Sequence, residues 1–261
     1  MISKFAFLLT RDISPTKSAQ GSIQAKDDHQ QLAWESWLKQ SLPSDLEKLG
    51  VIKVVVSVFD HKVAQAENLR ISNIKPPLQA VVFAYLNNSN DFEAVLTCIE
   101  SSNYLLSAYR LSEYQMIDES RGLDQSFETE YDDEKGTSFQ RVPGMMQLAL
   151  LKVPTDMLYE EWLKIWRQQH TQVAIETQST FIYRQNVVEE CLTEFDLGFK
   201  GLVEEAFPSA AMTSQKAFYA ATNEIDLKAR QQRMWQSSKR FLKISDLEVL
   251  PTSQYCWDFT V

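Results

Sequence analysis

Short apolar runs alternate along this chain with polar stretches of helical period, and the same order of runs occurs twice. Lys4 to Thr10 carries Phe5-Ala-Phe-Leu-Leu9 and predicts a buried first strand. Asp27 and Asp28 precede an apolar stripe through Trp34, Trp37 and Leu38, which predicts a capped helix. Ser44-Asp-Leu-Glu47 has the Ser-x-x-Glu pattern in which each side chain accepts from the other residue's N–H, so a short helical turn is expected to start there. Val51 to Phe59 and Ala80 to Leu86 are β-branched or aromatic and predict strands. Asn90-Asp-Phe-Glu93 opens a helix to about Tyr104, and Tyr109 to Ile117 alternates as a last strand. The order β-α-β-β-α-β is the ferredoxin-like one.

The second half repeats it. Met145 to Lys152, Thr180 to Val188 and Gly201 to Phe207 predict strands, and Thr155 is expected to cap a helix running through His170. Helical stretches follow over Ser209 to Ala221 and Asp226 to Phe241. Leu247 to Phe259 closes the set, with Pro251 implying an edge or a break because it donates no ladder hydrogen bond. Between the halves, Asp118 to Arg141 lapses into acidic, Gly-containing sequence that predicts a linker or a flexible flap. The expected domains are therefore an N-terminal half over 1–118, an acidic linker over 119–140 and a C-terminal half over 141–261. Each half presents a sheet with helices on one face only, and the bare faces must be buried. The expected fold is α+β, two ferredoxin-like halves from a tandem duplication pairing their antiparallel sheets into an α+β barrel. That pairing is expected within one chain, as a monomer, with a homodimer as the alternative.

Composition narrows the function. A hydrophobic content of 44%, a charged content of 23% and only seven glycines are those of a globular chain. The net charge of −9, with basic residues scattered, excludes a phosphate-backbone partner, so no nucleic acid is expected. No apolar run approaches the roughly 20 residues that span a bilayer, so no membrane partner is expected either. Cys98, Cys191 and Cys256 are odd in number and far apart, which suggests free thiols in a reducing, cytoplasmic setting.

The chemistry-bearing segment is Glu160-Glu-Trp-Leu-Lys-Ile-Trp-Arg-Gln-Gln-His170. At helical period Trp162, Trp166 and His170 share one face. Such a stripe is ordinarily core, and a histidine at a helix end ordinarily caps carbonyls. The W-x-x-x-H segment after a strand and turn resembles the first strand and helix of EthD-like proteins. Phe199-Lys-Gly-Leu-Val-Glu204 is similar to that family's strand motif, with Lys200 where the family commonly has Asp. The resemblance spans roughly Met145 to Trp257. It implies a dimeric α+β barrel with a pocket between sheet and helices, in a family associated with ether degradation and aromatic polyketide tailoring. On that resemblance His170 and Glu204 are the catalytic candidates, with Trp162, Trp166 and Tyr183 against the substrate. His170 would act as general acid or base, since imidazole titrates near working pH.

The first half lacks the pair. Aligning Trp37 with Trp166 puts Ser41 at the position of His170, and aligning Trp34 with Trp162 puts Leu42 there. His29 and His61 lie outside metal-ligand spacings, so no metal is expected, and no dinucleotide, P-loop or nucleophile-elbow motif implies an organic cofactor. Two functions remain open. One is a cofactor-independent oxidoreductase or proton-transfer enzyme acting on a small aromatic or apolar molecule, which predicts a closed cavity of at least ~300 Å³. The other is a non-catalytic ligand-binding or assembly scaffold.

Overall fold

A computed structural model describes residues 2–10, 23–88, 91–102, 104–117, 128–132 and 137–260. The first half builds strands β1 (Ser3–Thr10), β2 (Val51–Val58), β3 (Leu78–Leu86) and β4 (Leu105–Ile117), with helices α1 (Ile23–Ser36), α2 (Leu42–Lys48) and α3 (Phe92–Glu100). A hairpin follows, β5 (Glu128–Asp132) and β6 (Thr137–Arg141). The second half supplies β7 (Met145–Leu151), β8 (Ile182–Cys191), β9 (Gly201–Phe207) and β10 (Glu248–Asp258). Its helices are α4 (Tyr159–Lys164), α5 (Thr171–Thr177), α6 (Gln215–Phe218) and α7 (Glu224–Ser238).

Strand order is β2-β3-β1-β4-β8-β9-β7-β10, and β10 pairs back onto β2. Each half thus has the ferredoxin-like order, and the two sheets meet at β4–β8 and β10–β2 to close an antiparallel barrel within one chain. Closure removes the exposed edges that two open sheets would present. It also buries both faces of the strands, which is why β1 reads as a nearly continuous apolar run. Ala6 and Leu8 face the interior, while Phe5, Phe7 and Leu9 pack outward beneath α1, α2 and α3.

Several boundaries differ from the sequence reading. Asp27 and Asp28 lie inside α1, which is already helical at Ile23, rather than at its start. Ser44 and Glu47 lie inside α2, whose first turn is set by Pro43, so they form no capping box at its start. Thr155 falls in a turn closed by Met157 N–H to Pro154 O at 3.0 Å, and helix starts only at Tyr159. Part of the expected linker is a hairpin, β5–β6, held to β10 through Arg141 opposite Tyr255 and Gln140 opposite Cys256. Phe139 anchors it, its ring 5.1 Å from Trp257 and 5.7 Å from Tyr255. Residues 118–127 and 133–136 of that linker lie outside the described residues. Asn90, the expected start of the helix that begins at Phe92, lies outside them too.

Pro251 does not break β10. Val249 donates to Ile71 on one flank, and pairing with β2 on that flank resumes at Ser253. The missing N–H of Pro251 falls between the two, where the strand has a local edge.

Candidate functional site

The segment Tyr159–Thr177 crosses the outer face of the second half as one helical rod in three parts. Its middle, Ile165–His170, is a π-turn, and the first half carries one at Trp37–Ser41. Both π-turns hold a tryptophan four residues before their last position, which aligns Ser41 with His170.

Trp162 and Trp166 are buried, with ring centroids 4.9 Å apart. They press on the start of β9, where a Cβ at Gly201 would lie 2.6 Å from the Trp166 ring. Glycine is required there for that close approach. The π-turn inserts a residue into the α period. His170 turns toward α7, its Nδ1 2.9 Å from Ser237 Oγ and its ring 4.8 Å from Phe241. Burial alone holds the imidazole neutral and lowers its pKa to about 4.

Glu204 lies elsewhere. Successive side chains on β9 alternate between faces, so Val203 and Glu205 face the helices while Glu204 enters the barrel. There Glu204 accepts from Lys4 Nζ at 2.6 Å, Asn186 Nδ2 at 3.0 Å, Arg184 Nη1 at 3.2 Å and Gln254 Nε2 at 3.0 Å. Burial would raise its pKa, but the Lys4 and Arg184 charges prevail and hold it well below the carboxylate range. Lys4 also pairs with Glu113, which accepts from Tyr85 OH at 3.0 Å, and Gln254 donates to Ser57 at 3.0 Å. The sheet therefore separates Glu204 from His170, and the expected pair is not assembled.

The carboxylate on the helix side is Glu205. It is buried opposite Tyr183, and burial alone raises its pKa to about 7. Tyr183 is held protonated by burial and by the neighbouring Glu205 charge. Gln185 donates to Tyr183 OH at 3.0 Å and to Thr171 Oγ1 at 2.9 Å, while its own Oε1 and the Trp162 indole N–H have no partner. The structure thus gathers Trp162, Trp166 and Tyr183 in one packed layer, with His170 at its α7 side and Glu204 excluded. The sequence signal for Glu205 is the adjacent Glu204-Glu205 pair, whose two faces only the register separates.

The open concave surface lies at the other end of the rod. A groove of about 740 Å³ is lined by Tyr114, Met157, Tyr159, Val187, Glu189 and Lys200. It is open to solvent rather than closed. Tyr114 and Tyr159 are 38% and 37% exposed, and Leu158 beside them is 73% exposed. The Arg167 guanidinium sits 3.5 Å from the Tyr114 ring, a cation–π contact that fixes the ring. Tyr159 stacks on Trp162 at 5.8 Å. Tyr114 comes from β4 and Val187 and Glu189 from β8, so the groove straddles the seam between the halves.

No family model matches the chain, and no curated protein is significantly similar to it. Solved structures are similar over almost the whole chain at low identity. One, described as an anthrone oxidase-like protein, is 10% identical with a TM-score of 0.44, over 100% of this chain and 94% of its own. Another, a mutant chlorite dismutase from Candidatus Nitrospira defluvii, is 10% identical with a TM-score of 0.42, over 97% of this chain and 91% of its own. Likeness at this level concerns the barrel alone. No helix among the described residues is long and apolar enough to cross a membrane.

Proposed function

We propose that this protein binds a small planar aromatic molecule in the seam groove, within an EthD-like C-terminal half over 141–261 that repeats the unit of 1–118. One observation carries the reading: Tyr114 and Tyr159, both partly exposed, line a groove of ligand size with Lys200 at its edge. Two phenol rings and Met157 offer stacking and soft contact, and the Lys200 ammonium selects a phenolate, carboxylate or quinone-like oxygen. Trp162 backs the groove through Tyr159 and reports occupancy. The cellular setting of this reading is the reducing cytoplasm, consistent with three free cysteines.

The test is titration of the purified chain with a panel of hydroxylated aromatic acids and quinones, followed by calorimetry and tryptophan fluorescence. Saturable binding that weakens about tenfold in Tyr159→Ala and in Lys200→Ala is the expected result, each change removing about 1.4 kcal/mol of contact. Absence of saturable binding, or binding unchanged in both variants, overturns it.

A second reading, a cofactor-independent oxidoreductase or proton-transfer enzyme, is favoured by one observation, the unpartnered Glu205 carboxyl beside Tyr183. In it Glu205 takes the role expected of Glu204, and His170 stays a positioning residue held by Ser237. Oxygen uptake with a bound aromatic compound, abolished in Glu205→Gln while binding persists, would support it. No uptake by the unmodified chain, or uptake unchanged in Glu205→Gln, sinks it.

A further inference from the structure

Outside the second half, a pocket of about 580 Å³ opens between α1, the 3-10 segment His61–Leu69 and the start of β3. Its walls include Leu32, Phe59 and Ala64, and polar groups converge at one corner. There Glu35, Asp60 and His61 bring one ligand atom each to within 4.8 Å of one another. We infer that these three residues form a site for a first-row divalent metal ion, with the Lys39 ammonium occupying the cation position in its absence.

The position of Lys39 is the main argument. Its Nζ lies 2.9 Å from Asp60 Oδ2 and 3.6 Å from Glu35 Oε2, so two carboxylate oxygens already converge on one cation. Lys39 sits on the first-half π-turn and is partly exposed, so its flexible stem can withdraw toward solvent.

Orientation is the second argument. Metal-binding carboxylates are held in place by outer hydrogen bonds. Asp60 Oδ1 accepts from Ser253 Oγ at 2.7 Å and from the Lys62 N–H at 3.1 Å. Asp60 Oδ2 accepts from Tyr255 OH at 2.6 Å, and Glu35 Oε1 accepts from Gln31 Nε2 at 2.7 Å. Glu35 therefore turns Oε2 to the cation with Oε1 anchored, and Asp60 turns Oδ2 to it while Tyr255 OH holds that same oxygen in place.

Distance is compatible. Ligand atoms around a tetrahedral ion with bonds of ~2.0–2.2 Å stand roughly 3.4 Å apart. The cluster must contract by at most about 1.4 Å, within reach of the exposed His61 ring. Two carboxylates and one imidazole suit zinc, iron(II) or manganese, and three protein ligands leave a position facing the apolar pocket. Spacing rules miss the set because Glu35 is on a helix and Asp60-His61 follows a strand 25 residues later.

The experiment is calorimetry of the full chain with zinc alone, with the visible spectrum of added cobalt(II) as a second readout. Asp60 is a packing hub, so the variants are His61→Ala, Glu35→Gln and Lys39→Met. One-to-one binding is expected, weakened about 10–100-fold in His61→Ala and Glu35→Gln and tightened about tenfold in Lys39→Met. No binding by the unmodified chain, or binding indifferent to His61→Ala, overturns the proposal. The cobalt spectrum separates the source: thiolate bands would place the ion on cysteine and also overturn it.

Discussion

Lys4 Nζ lies 2.6 Å from Glu204 Oε1 inside the closed barrel, joining the first strand of one half to the third strand of the other. Both side chains are almost fully buried, at 4% and 1% exposure. The pair stands where two sheet faces meet, and its remaining oxygen and protons are satisfied by Arg184, Asn186, Gln254 and Glu113. Its role is to lock the halves in register.

Glu204→Leu is expected to destabilise the fold by about 3–5 kcal/mol, because Lys4 and Arg184 remain buried without their counter-charge. Adding Lys4→Met should recover part of that loss. The Glu204 pKa is depressed from 4.5, so the stabilisation is present above 4.5 and is lost only as pH falls through the folded value. Chemical denaturation of Glu204→Leu, Lys4→Met and the double variant at pH 7, and of the unmodified chain from pH 6 down to 3, measures this, and additive effects would refute the coupling.

His170 and Glu205 should pull pH dependence in opposite directions. The imidazole falls from 6.5 to about 4 on folding, so its contribution is complete above pH 6.5 and is lost as pH falls toward 4. The full loss is about 3 kcal/mol. His170→Phe keeps the packing on Phe241 and should remove this acid-side decline. The check is the difference between the two stability curves from pH 4 to 7.

Glu205 rises from 4.5 to about 7, so the folded chain holds that proton more tightly and stability declines as pH climbs from 4.5 through 7. Glu205→Gln is expected to stabilise by up to about 3 kcal/mol at pH 8 and to gain nothing from lost charge below pH 4.5. Between pH 4.5 and 6.5 the His170 and Glu205 effects offset each other, and each single variant unmasks the other. Thermal melts of Glu205→Gln at pH 4.5 and 8 decide it; equal shifts at both would show that ionisation is not the cause.

Gly201→Ala should cost about 1–3 kcal/mol, since the new methyl group would overlap the Trp166 ring. Trp166→Phe made alongside it should relieve much of that strain. Denaturation midpoints of the single and double variants test the contact, and a neutral Gly201→Ala would disprove it.

Element types and the ferredoxin-like order were legible because β-branched runs and helical stripes are local signals. Helix starts were less so. Asp27, Ser44 and Thr155 had capping chemistry but the backbone entered helix elsewhere, at Ile23 for the run that continues through α2 and at Tyr159 for α4, where tertiary packing outweighed a cap of about 1 kcal/mol. The hairpin β5–β6 was hidden by its acidic sequence. Its order comes from pairing with β10 and from Phe139 on Trp257, both distant in sequence.

The amino-acid sequence by itself determined the α+β class, the two halves and the Trp162–Trp166 stripe, because each follows from the period of neighbouring residues. Only the tertiary structure decided that Glu204 enters the barrel while Glu205 faces the helices. A one-residue change of parity exchanges the faces of a strand, and composition carries no parity. Closure of β10 on β2, the turn of His170 toward Ser237, and the meeting of Glu35, Asp60 and His61 depend likewise on distant segments sharing space. No local period encodes that.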